Sequence, residues 1–175
     1  VMVWLKTLGI CLIIGGFGVW GLNGARRFSR RAAQLKDLRM ALGFLEKEII
    51  YMHTPLSRAL ERTARFAKPP VNTLFRVASL HLHNKEGATA AEAWLLGLQN
   101  LIKSGDLNKA DLGILQAVAP QLGLSDATEQ GKFFRLLQEE LKILEEQAAQ
   151  DVESGQKIWS YGGFILGTVI VLLLL

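Results

Sequence analysis

The chain has 175 residues, with 20 Lys and Arg against 16 Asp and Glu, a net charge of +4, 50% apolar residues and a mean hydropathy of +0.23. That length allows one domain, and positive mean hydropathy beside 21% charged residues implies that the apolar residues are gathered into blocks. A single cysteine, Cys11, excludes an internal disulfide and a cysteine-based metal site.

The first block is TLGICLIIGGFGVWGL, Thr7 to Leu22, which carries no charge. With the residues before it, the stretch 1–24 matches a hydrocarbon core of roughly 30 Å at about 1.5 Å per residue, with Lys6 reaching back to the interface. It reads as a transmembrane helix. A cleaved signal peptide is the competing reading, but that pattern needs its positive charge before the apolar run and a small-x-small site after it. Here Arg26, Arg27, Arg30 and Arg31 follow the run. Lys and Arg beside a span stay on the cytoplasmic side, so residues 25–158 are expected in the cytoplasm. Cys11 is expected to be a small apolar residue of the span, with palmitoylation as the alternative.

The middle of the chain is striped at helical spacing. Leu35, Leu38, Leu42, Leu45, Ile49 and Met52 share one face of a first helix. It cannot run through Pro55, which lacks an N–H and would clash with the preceding turn. Thr54 is therefore predicted as an N-cap and Pro55 as the first residue of a second helix, with Leu56, Ala59, Leu60 and Thr63 inside. The break is a corner between packed helices, with Leu45, Ile49, Tyr51, Thr54, Pro55 and Leu56 as its structural residues.

Lys68-Pro69-Pro70 ends the second helix, and Val71, Leu74, Phe75, Ala78 and Leu82 line a third. Asn84 to Ala88 is a predicted loop. Thr89 and Glu92 form a capping-box pattern before a fourth helix that buries Trp94, Leu98, Leu101 and Ile102. Ser104-Gly105-Asp106 breaks it. A fifth helix carries Leu112, Leu115, Val118 and Leu122, kinked at Pro120 and closed by Gly123. Ser125 caps a sixth, whose stripe of Phe134, Leu137, Leu141, Leu144 and Ala148 continues through Val152. Residues 159–175, WSYGGFILGTVIVLLLL, form a second uncharged block and a second expected span.

The fold class is thus all-α: a cytoplasmic bundle of about six helices flanked by N- and C-terminal transmembrane helices. If the first and last helices both reach the membrane they run antiparallel. Arg26, Arg27, Arg30, Arg31 and Arg39 would then face Glu139, Glu140, Glu145, Glu146, Asp151 and Glu153, a pairing that sets register more than stability.

Catalytic chemistry has little to stand on. His53, His81 and His83 lack a metal-ligand spacing, the carboxylates sit beside Lys and Arg on amphipathic faces, and no glycine-rich loop follows a strand. No enzyme activity, metal, cofactor or small-molecule substrate is expected. The arginine cluster adjoins a span and, Phe28 apart, lacks interleaved aromatics, so anionic membrane lipids account for it better than nucleic acid.

The pattern LExEIxYxxTPL, formed by Leu45-Glu46, Glu48-Ile49, Tyr51 and Thr54-Pro55-Leu56, resembles the stage III sporulation protein AB family of endospore-forming bacteria. The likeness continues in PPVNTLF, AEAW, LQAVAPQLGLSD and the apolar tail after a long acidic helix. The resemblance implies a component of the channel between mother cell and forespore, in the outer forespore membrane with its helical domain in the mother-cell cytoplasm. That family is similar in turn to the cytoplasmic domain of type II secretion protein F and its type IV pilus counterpart. By that likeness the expected partners are a secretion-type hexameric ATPase and other membrane proteins of the channel, and the role is mechanical coupling. Exposed residues near the corner, Glu46, Glu48, Arg58 and Arg62, would be its contacts. The alternative is a membrane-tethered adaptor or assembly factor that touches no ATPase.

Overall fold

Leu35, Leu38, Ala41, Leu42 and Leu45 are fully buried, and this unbroken stripe is what makes residues 26–46 a helix, α1, rather than a solvated segment. A computed structural model of the chain describes Gly16 and residues 26–84, 87–122 and 127–174. Among the described residues all regular structure is helical: α2 (Leu56–Phe66), α3 (Asn72–Asn84), α4 (Ala90–Ser104), α5 (Lys109–Ala117) and α6 (Ala127–Leu174) follow α1. The chain divides into two compact units, Arg31–Glu146 and Val1–Arg30 with Gln147–Leu175.

The core of the Arg31–Glu146 unit is built from the expected stripes. Ala59, Leu60 and Thr63 of α2, Leu74, Phe75 and Ala78 of α3, and Ala93, Trp94, Leu98 and Leu101 of α4 are buried, each large side chain contributing about 1.5–3 kcal/mol. Phe75 and Trp94 meet edge to face with ring centroids 5.8 Å apart. The indole of Trp94 donates to the Leu115 carbonyl at 2.7 Å, which ties α4 to α5 and satisfies the ring's polar atom inside the core. Helices α3 and α4 can approach this closely because Gly97 has no side chain: a Cβ there would lie 2.3 Å from the Leu74 carbonyl oxygen.

Helix α6 packs antiparallel to α1 in this unit. Arg39 Nε donates to Glu145 at 2.7 Å, and Gln138 Nε2 donates to the Arg39 carbonyl at 3.2 Å and lies against Gly43. Phe134, Leu137, Leu141 and Leu144 face inward as their spacing requires. In the other unit Ala148 is buried and the Phe28 ring lies on Gly155, where an added Cβ would be 3.0 Å from the ring. Of the arginines expected to face α6, Arg39 pairs with Glu145, and Arg31 makes a pair with Asp111 of α5 that was not expected.

The helix ends follow local chemistry. Thr89 and Glu92 form the expected capping box, and Asn108 and Asp111 form a second one at the start of α5. At Pro120 the chain does not bend within one helix: α5 stops at Ala117 and a single 3-10 turn, Ala119–Gln121, carries the proline near its start, where no N–H is needed. The start of α2 also differs from expectation by one residue. Pro55, with ψ of 139°, is the N-cap, and its carbonyl accepts the first helical bond from Ala59. Ile102 is 44% exposed rather than inside, and Asn84 is the last residue of α3 rather than loop. The predicted roles of Gly123 and Ser125 lie outside the described residues, as does the segment 1–24 apart from Gly16. Among the described residues no helix is long and apolar enough to cross a membrane; residues 159–174 continue α6 in helical conformation.

Candidate functional site

The corner between α1 and α2 is built by a change of helix type. Beyond Glu46 the helix widens into a π turn, Lys47–Tyr51, closed by Met52 N–H donating to the Lys47 carbonyl at 3.1 Å. Thr54 N–H then donates to the Glu48 carbonyl at 2.8 Å, and His53 between them adopts φ of 52°, the left-handed region that costs a non-glycine residue roughly 1 kcal/mol. The wider turn puts one more residue into each revolution and shifts the stripe out of phase. Met52, expected on the inner stripe, is 64% exposed; Tyr51, expected to hold the corner, is 68% exposed; and Ile49 is half-buried. Glu48 takes the inner place.

Glu48 is 4% exposed, so the expectation that it lies on the surface is corrected. Its Oε2 accepts from the Thr54 hydroxyl at 2.8 Å and from Arg62 Nη1 at 2.9 Å. Thr54 therefore acts through its side chain on the preceding helix rather than as the cap of the next. A carboxylate entering the interior needs such partners, and two donors from opposite sides of the corner fix the angle between α1 and α2. Leu45 is buried beneath, Leu56 half-buried, and Pro55 exposed. The Phe44 and Phe66 rings stack at 4.8 Å and close the far end of the same contact.

The remaining charged groups point outward from this frame. Arg58 is exposed, Arg62 exposes half of its side chain, and Glu46 is half-buried. Burial pushes the Glu46 carboxyl above its ordinary 4.5, against the opposing pull of Arg135 and Lys47. Of the four predicted contacts, Arg58 and Arg62 present charge to solvent, Glu46 does so in part, and Glu48 is the internal pin.

Arg58 also belongs to a groove of about 760 Å³ between α2 and α3. Its other walls include Glu61, Arg65, Arg76, Leu80 and His83. His83 is exposed here, His81 is half-buried, and His53 is exposed at the corner. Among the described residues no group of three or more His, Cys, Asp or Glu could hold a metal ion.

A polar line along α1 was not anticipated. Arg31 binds Asp111, Gln34 Oε1 accepts the Asp106 N–H at 2.9 Å, and Asp37 Oδ2 accepts the Lys68 N–H at 2.8 Å. All three side chains are buried or nearly so. They recur every third residue beside the leucine stripe and hold three connections of the bundle to one helix. The spacing of Arg31, Gln34 and Asp37 was the available signal, because three polar residues in register with an apolar stripe widen the buried face.

The sequence model of the stage III sporulation protein AB family matches residues 6–175. The stage III sporulation protein AB of Bacillus subtilis (strain 168) is 33% identical over 171 residues, covering 98% of this chain and 99% of its own. A solved structure of a stage III sporulation protein AB is 34% identical and superposes with a TM-score of 0.66, covering 70% of this chain and 96% of its own.

Proposed function

The chain belongs to the stage III sporulation protein AB family, and from that premise we propose that it is a membrane-anchored scaffold of the channel between mother cell and forespore, docking a cytoplasmic secretion-type hexameric ATPase and passing its motion to other membrane proteins of the channel. Its anchors are the apolar stretches 1–24, charged only at Lys6, and 159–175, which carries no charge, both embedded in the outer forespore membrane. Residues 25–158 form the mother-cell cytoplasmic part, oriented by Arg26, Arg27, Arg30 and Arg31. It hydrolyses nothing itself.

The observation that carries this reading is the pinned corner. Coupling requires an element that transmits force without bending, and the Glu48 carboxylate bonded to both Thr54 and Arg62 stiffens the junction of α1 and α2. The same frame leaves Arg58 and about half of the Arg62 side chain exposed, a cationic surface suited to a partner's complementary patch, with the half-buried Glu46 on the preceding helix.

The test is calorimetric titration of the full chain in detergent with the purified ATPase, with and without nucleotide. Saturable binding that Arg58→Glu and Glu46→Lys weaken supports the reading. Absence of binding in every nucleotide state by the folded chain overturns it and leaves a membrane-tethered assembly factor that contacts no ATPase.

A further inference from the structure

Two surfaces of the Arg31–Glu146 unit are exposed among the described residues, and their charges are opposite. The first is the groove between α2 and α3. Arg58 and Arg76 stand on its walls without an ion-pair partner among the described residues, Arg65 adds a third guanidinium paired only with the exposed Glu61, and His83 lies at its edge. Leu80 is 54% exposed within it. The groove is thus a cationic channel with an apolar wall.

The second surface is the outward face of α6. Leu136 and Ile143, seven residues apart and therefore aligned, are 60% and 54% exposed, well away from the buried stripe of Phe134, Leu137, Leu141 and Leu144. Glu139, Glu140 and Glu146 flank them, all exposed and without an ion-pair partner among the described residues, while Lys132, one turn before Leu136, is neutralised by Glu129. A helix that carries a second apolar pair flanked by these carboxylates has the composition of a docking face rather than of a purely solvated one.

We propose that the outward α6 face of one copy, Leu136, Glu139, Glu140 and Ile143, docks in the α2–α3 groove of a second copy, against Arg65, Arg76 and Leu80. Charge complementarity argues for this occupant: each face supplies what the other lacks, carboxylates to guanidiniums and leucine or isoleucine to leucine. Each copy presents a donor face and an acceptor groove, so the contact is heterologous. Such contacts repeat, giving a closed ring if the rotation closes and an open filament otherwise. A ring would match the membrane protein to a ring-shaped partner, but the self-association stands whether or not an ATPase binds.

The experiment is sedimentation equilibrium of the full chain in nonionic detergent, with two variants that avoid the corner residues. Arg65→Glu/Arg76→Glu reverses the groove, and Glu139→Arg/Glu140→Arg reverses the α6 face. All four positions are exposed, and circular dichroism checks that both variants fold. The wild-type chain is expected to self-associate, more weakly at high salt, and each variant alone to lose at least about tenfold in association constant. An equimolar mixture of the two is expected to regain association, because the reversed face of one meets the reversed groove of the other. A monomeric wild-type chain overturns the proposal and hands the groove to an acidic partner of another kind. Variants that associate as tightly as the wild type, or a mixture that shows no recovery, overturn it equally.

Discussion

Arg31 and Asp111, 80 residues apart, form a buried two-pronged ion pair, with Nε to Oδ2 at 2.8 Å and Nη2 to Oδ1 at 2.9 Å. Asp111 has no exposed surface, and it also accepts the Asn108 N–H at 2.9 Å as half of the α5 capping box. One carboxylate therefore starts a helix and fastens it to α1. Arg31→Met should cost about 3–5 kcal/mol, because it leaves a buried charge unpaired. In a cycle with Asp111→Asn, denaturant midpoints of the full chain should show a coupling above about 1 kcal/mol. A loss under about 1 kcal/mol for Arg31→Met would mean that solvent reaches the carboxylate.

Gly97 and Gly113 make a paired test of helix approach. Gly97→Ala drives a methyl onto the Leu74 backbone and should destabilise by about 1–3 kcal/mol or more as α3 and α4 separate. Gly113, in α5, has nothing within 4 Å of its would-be Cβ, so Gly113→Ala should stabilise by about 0.5–1 kcal/mol. Thermal melting of the two variants should shift in opposite directions; shifts of the same sign contradict the packing.

Glu48 should act as a pin and Arg58 as surface. Glu48→Ala strands the Thr54 hydroxyl and the Arg62 guanidinium and should cost about 1–3 kcal/mol. Arg58→Ala should stay within about 0.5 kcal/mol of wild type. Proteolysis near Tyr51 and Met52, which are already exposed, should accelerate in Glu48→Ala only. Equal cleavage rates would show that the corner is held by packing alone.

Asp37 sets a pH dependence. Burial raises its carboxyl above the ordinary 3.8, outweighing the Lys68 N–H bond and the Lys68 charge, which lower it. The folded state then holds this proton more tightly than the unfolded state. Stability from this group accordingly falls as pH rises from 3.8 through the higher folded value. Asp37→Asn keeps an acceptor for the Lys68 N–H and removes the titration, so its denaturant midpoint should vary less over that window than the wild type's. Parallel profiles would exclude Asp37 as the titrating group.

The sequence by itself determined the helices. Leucines at spacings of three and four can be buried only if the backbone turns every 3.6 residues, so α1 to α6 and their inner faces were readable wherever the stripe was regular. Thr89 with Glu92 marked the start of α4 for an equally local reason, since a cap needs only residues three apart. The family likeness was carried by the same local patterns around Tyr51 and Pro55.

Tertiary structure alone decided what the inner polar groups meet. Arg31 and Asp111, Gln34 and Asp106, and Asp37 and Lys68 are partners far apart in sequence, and although spacing sets Arg31, Gln34 and Asp37 beside the apolar stripe, nothing local names the group that each will find there. The π turn at Lys47–Tyr51 was hidden for the same reason. It repays one irregular turn by placing Glu48 between Thr54 and Arg62, and that balance exists only once α2 has folded back against α1.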